Sequence, residues 1–116
     1  MSNIVDLDAL RPEPKFFKLN GHNIDVSFIP LGITFDIDEI VRELTNVGTL
    51  SGKEAEEKAY NLTVKLCAVF CGYKYPEMTT EWFLENTNPQ QVKYLAEGIS
   101  EALTRDYKAV EEYSKN

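Results

Sequence analysis

Between Met78 and Lys93 the sequence signals two helix starts in quick succession, and few folds accommodate that. Thr79 or Thr80 can cap a short helical turn carrying Trp82 and Phe83. Asn88 then caps a longer helix with Pro89 at its first position. At each start a side-chain oxygen accepts from backbone N–H groups that lack partners inside the helix. The only tryptophan of the chain is thereby expected between two helices, where its large ring adds to packing. Trp82, Asn88 and Pro89 are accordingly assigned structural roles.

Upstream, the pattern changes period. Lys15-Phe16-Phe17-Lys18-Leu19 leads into Asn20-Gly21-His22-Asn23, and Ile24 to Ile29 alternates apolar with polar residues. Asn-Gly between such runs is a strong hairpin signal, because both positions accept positive φ. A β-hairpin over residues 15–29 is predicted, with Ile24, Val26 and Phe28 on one face and closure at Pro30 and Gly32. A lone two-stranded hairpin is marginal, so helices must cover it.

The rest reads as helix. Thr34 or Asp36 is expected to cap a segment through Leu44, with Ile37, Ile40, Val41 and Leu44 inward and Asp36, Asp38 and Glu39 in its first turn. A long helix is predicted from Ser51 to Cys71, buried along Ala55, Ala59, Leu62, Leu66, Val69 and Phe70 and stopped at Gly72. The last helix is predicted from Pro89 towards Tyr113, with Val92, Leu95, Ala96, Ile99, Ala102, Leu103 and Val110 inward. The fold class is therefore α+β: an N-terminal hairpin packed on about four helices. Residues 1–14 form a flexible lead, 15–113 a single domain and 114–116 a frayed end.

Charge narrows the partners. The 116 residues carry a net charge of −7, with eight acids against four bases in residues 1–50 and the same balance in residues 76–116. No basic stripe exists to neutralise phosphates, so nucleic acid is not expected as a partner. No apolar run approaches the length that spans a bilayer, and the acidic start has no signal-peptide pattern, so a cytoplasmic protein is expected.

The residues with chemical potential do not form a reactive set. Cys67 and Cys71, four apart on one helix face, could supply half of a metal site, but the other half is missing: the only histidine, His22, sits at the hairpin tip and there is no further cysteine. Both thiols are expected to be reduced packing residues. Asp36, Asp38 and Glu39 lack the glycine and distal glutamate of a calcium loop. No metal, cofactor or catalytic role is assigned. The aromatic segments are the candidate protein contacts: Phe16 and Phe17, which place one ring on each face of their strand, and Tyr73 and Tyr75 in the loop Tyr73-Lys74-Tyr75-Pro76. An open hairpin edge favours self-association.

Three stretches together carry a resemblance. Glu57-Lys58-Ala59-Tyr60-Asn61-Leu62-Thr63-Val64-Lys65-Leu66-Cys67-Ala68-Val69-Phe70 is followed by Tyr75-Pro76-Glu77-Met78-Thr79-Thr80-Glu81-Trp82-Phe83-Leu84-Glu85-Asn86-Thr87, then by Gln90-Gln91 and an apolar helix. Over residues 15–110 this order resembles the tail assembly chaperones of long-tailed bacteriophages and prophages. The resemblance implies a non-enzymatic protein of the bacterial host cytoplasm. Such a protein binds the long helical tape-measure protein, keeps it soluble during tail assembly, and often self-associates into a homo-oligomer. A tail structural or adaptor protein, or a protein-binding regulator, would share the same small architecture.

Overall fold

In the computed structural model, which describes residues 4–114 and side chains as far as Arg105, the hairpin comes first and four helices follow. Strand β1 (Phe16–Leu19) pairs antiparallel with β2 (His22–Asp25), with Phe17 opposite Ile24 and Leu19 opposite His22. Asn20 and Gly21 take φ values of 47° and 82°, the pair of positive angles that a two-residue turn matching strand twist requires. The second strand is shorter than the alternation suggests. Asp25 Oδ1 accepts from the Ser27 N–H at 2.8 Å, and this local turn ends the strand four residues before Ile29. Ile24 and Val26 are buried as expected, whereas Phe28 is only partly buried and lies under the Arg11 guanidinium at 4.1 Å. Ahead of the hairpin, the lead contains a 3-10 turn at Leu7–Leu10, capped by the Asp6 carboxylate.

Helix α1 spans Leu31–Val47 and starts earlier than its predicted caps. Pro30 is the N-cap, and Thr34 is already inside the helix, its hydroxyl donating to the Pro30 carbonyl at 3.0 Å. Burial of Ile33 at one end and Val47 at the other extends the helix beyond both predicted limits. Asp36, Asp38 and Glu39 therefore lie beyond the first turn, where they do not serve the helix dipole; Asp38 instead pairs with Arg42 at 3.0 Å.

Helix α2 (Lys53–Lys74) is the centre of the domain and packs against α1, α3 (Thr80–Asn86) and α4 (Pro89–Ser114). Because it has neighbours on several sides, its buried set is wider than one stripe: Val64, Cys67 and Cys71 join Leu62, Leu66 and Phe70, while Ala55, Ala59 and Val69 stay partly buried. Gly72 does not stop this helix. A Cβ there would sit 3.4 Å from the Met78 carbonyl oxygen, so the missing side chain lets the following loop fold closely over the helix end and bury Met78.

Both later helix starts carry their expected caps. Thr79 Oγ1 accepts from the Trp82 N–H at 3.2 Å. Asn88 and Gln91 form a reciprocal box, with Asn88 N–H donating to Gln91 Oε1 at 2.8 Å and Gln91 N–H to Asn88 Oδ1 at 2.9 Å. The tryptophan is not the innermost ring, however. Phe83 is 1% exposed, and Trp82 stands partly buried at the rim with its ring edge-on to Phe83 at 5.0 Å. On α4, Val92, Leu95, Ala96, Ile99, Ala102 and Leu103 are buried; Val110 and the chain end at 115–116 lie outside the described side chains and residues. Arg105 ties the far part of α4 to the chain after the hairpin, donating to the Ser27 carbonyl at 3.1 Å.

Candidate functional site: two aromatic surfaces flanking the hairpin

The four aromatic residues singled out from the sequence fall on two different surfaces. Tyr73 and Tyr75 belong to the first, at the C-terminal end of α2. Tyr75 is partly buried: its hydroxyl donates to the Asn23 carbonyl at 3.2 Å, and its ring meets His22 edge-on at 4.7 Å. His22 also faces Glu77 at 3.6 Å, so the turn Tyr75–Met78 is fastened to the tip of the hairpin. Tyr75 thus acts mainly as a brace. Tyr73 is 59% exposed, and its ring lies over Gly32 of α1, 3.7 Å from where a Cβ would stand.

That placement brings in two residues the sequence reading passed over. Leu31 and Phe35 are each 83% exposed. They are four apart on α1, on the side away from Ile33, Ile37 and Ile40, and Gly32 beneath the Tyr73 ring lies between the two faces. The signal was present as two large apolar residues out of phase with the buried stripe. It was hidden because a helix started at Thr34 or Asp36 leaves Leu31 outside it. Beside this row a cleft of about 510 Å³ opens between Phe28, Pro30, Tyr73 and Tyr75, with Arg11 and Lys74 at its margin.

Phe16 and Phe17 line the second surface. Phe17 packs partly buried against α4, where Gly98 leaves room for its ring; a Cβ at Gly98 would stand 2.9 Å from Phe17 Cε2. Phe16, on the opposite face of the strand, is 58% exposed. Between β1 and the first turns of α4 runs a groove of about 550 Å³, walled by Phe16, Phe17 and Tyr94 and floored in part by Leu95.

The cleft beside Tyr73 is also lined by Asp25 and Cys71, and the Cys71 side chain is almost wholly buried at its wall. Cys67 and Cys71 are free, buried thiols; burial pushes Cys71 up to about 12 and raises Cys67 further, with the neighbouring Cys71 adding to the shift. The Cys67 thiol points at the Val92 carbonyl, in the packing between α2 and α4. Thiols held protonated and away from solvent are poor nucleophiles and poor metal ligands. Among the described residues no group of three His, Cys, Asp or Glu side chains is placed to hold a metal ion, and no helix is long and apolar enough to cross a membrane. No known protein family matches the sequence, and neither a curated protein nor a solved structure matches it significantly. What the two surfaces offer chemically is apolar contact area with a few polar handles.

Proposed function

We propose that this protein is a tail assembly chaperone of a long-tailed bacteriophage or prophage, acting in the host cytoplasm to keep the tape-measure protein soluble until the tail tube forms around it. One observation carries the reading beyond the sequence resemblance: Leu31, Phe35 and Tyr73 leave a row of large apolar side chains open to water. Burying such a row inside the monomer would have been the ordinary outcome, and an apolar patch left exposed in this way marks a contact surface. Leu31 and Phe35 at helical spacing present side chains that an amphipathic helix can cover with its own apolar stripe, which is the form a long helical partner offers. The net charge of −7 on the chain keeps a protein–partner complex dispersed while the apolar face is occupied. Several copies along one tape measure, associating with each other, complete the proposed arrangement.

The test is co-expression with a tape-measure protein, the long helical partner that the proposal requires. The wild-type chain is expected to hold that protein in the soluble fraction and to co-purify with it. The double substitution Leu31→Asp with Phe35→Asp is expected to abolish both effects while leaving the circular dichroism spectrum and melting temperature near wild type, since both side chains are exposed. Equal solubility of the long protein with and without this chain, and no complex, would overturn the proposal and leave a tail component as the better reading.

A further inference from the structure

The second surface has a different geometry from the first, and it points to a different mode of binding. In the antiparallel ladder alternate residues face the partner strand. The pairs Phe17–Ile24 and Leu19–His22, with the Val26 N–H donating to the Lys15 carbonyl at 2.8 Å, direct Lys15, Phe17 and Leu19 towards β2. The N–H and C=O groups of Phe16 and Lys18 therefore point outward, where no strand lies among the described residues. On the other side of the hairpin, Tyr75 donates to the Asn23 carbonyl and so takes up an outward acceptor of β2. Among the described residues nothing pairs with the edge of β1, and it runs along the groove shared with α4.

Charge selects the occupant. The groove is lined by apolar and amide side chains with one charged residue, Lys18, and no carboxylate, in a chain whose net charge is −7. Lys18 forms no ion pair with a described residue, whereas its neighbour Lys15 faces Glu101 at 3.6 Å. Pairing β1 with the β1 of a second copy would bring Lys18 from both chains into one sheet, and residues 15–19 contain no acid to offset the pair. An acidic strand meets the opposite situation. We propose that the free edge of β1 receives an extended segment of a partner protein, added as a third strand, with an apolar side chain in the groove between Phe17 and Tyr94 and a carboxylate facing Lys18. Main-chain hydrogen bonds to Phe16 and Lys18 hold the segment, and the groove and Lys18 select it. This mode concerns a different face from the Leu31–Phe35 row and does not require a helical partner, so its failure and that of the chaperone reading are separately visible.

The experiment titrates the ¹⁵N-labelled protein with two capped octapeptides, one alternating Val with Glu and the other Val with Lys. The Val–Glu peptide is expected to shift the amides of Phe16, Lys18, Gln91 and Tyr94 and to bind about ten-fold more tightly than the Val–Lys peptide, the effect of one charge-assisted contact. Lys18→Pro removes an outward N–H that the hairpin does not use and is expected to abolish binding while the Leu19–His22 cross-strand contacts persist. Lys18→Thr keeps the N–H and is expected to erase the preference for the acidic peptide. Equal binding of the two peptides, shifts confined to other surfaces, or unchanged binding by both variants would overturn the inference. So would shifts at residues 16–18 that depend on protein concentration without peptide, which would make a second copy the occupant.

Discussion

Replacing Phe83 with alanine is expected to damage the fold more than replacing the single tryptophan beside it. Phe83 is 1% exposed and lies where α3 meets α2, so its whole ring is withdrawn from water. Losing that burial costs about 2.5 kcal/mol, and a residual cavity of about 60 Å³ adds about 1.4 kcal/mol, for a total of about 4 kcal/mol. Trp82 is partly buried at the rim, where neighbouring side chains and water can refill the space. Its truncation should cost about 2 kcal/mol, because the cavity contribution largely disappears and part of the ring is already hydrated. Urea unfolding followed by circular dichroism at 222 nm measures both, since it does not depend on the indole that one variant lacks. Equal slopes for the two variants and wild type would confirm that midpoints can be compared directly. A larger loss for Trp82→Ala than for Phe83→Ala would refute the assignment of Phe83 as the inner ring and return the tryptophan to the centre of the core.

Three further outcomes follow from local geometry. Asn88→Ala and Gln91→Ala should each cost about 1 kcal/mol by urea unfolding, and the double variant should cost less than the two single losses together, because each side chain answers the other's backbone. Gly21→Ala should destabilise by about 1–2 kcal/mol in the same assay, since φ is 82° there, and Asn20→Gly should cost far less. The thiols should make stability fall in alkali. Unfolded cysteines ionise near the ordinary value of 9.0, whereas Cys71 holds its proton to about 12 and Cys67 beyond. The unfolded state therefore loses protons first, so this contribution is complete below pH 9 and declines as pH rises towards 12. Urea midpoints of wild type and Cys71→Ala between pH 8 and 11 should converge as pH rises, and parallel curves would contradict the assignment.

The parts of the fold that local chemistry determines were legible in the sequence. Asn20-Gly21 defines its turn because few other pairs accept two positive φ angles, and the cap at Thr79 and the box at Asn88 start their helices because they satisfy N–H groups on the spot. The parts decided by tertiary contact were not. Helix α1 starts at Leu31 without a side-chain cap because burying Ile33 outweighs the missing hydrogen bond, and α2 runs through Gly72 because the loop to Met78 covers it. The candidate surfaces divide in the same way. Phe16, Phe17, Tyr73 and Tyr75 were visible as aromatics, but their separation into two faces depends on how the hairpin seats against α2 and α4. Leu31 and Phe35 became recognisable only when the true start of α1 put both on the side that no described residue buries.

Tyr75 engages an outward carbonyl on one flank of the hairpin, while no described residue pairs with the other, and that asymmetry bears on how an assembly built on it can grow. Lateral propagation of a sheet requires two live flanks on every subunit, one to join and one to be joined. A ribbon with one outward carbonyl already engaged offers the next strand a poorer site on that flank than on the other. With the Asn23 carbonyl already taken by a phenol hydroxyl from a distant loop, a strand arriving on that flank forfeits a ladder bond, so lateral growth through this hairpin is disfavoured on that side.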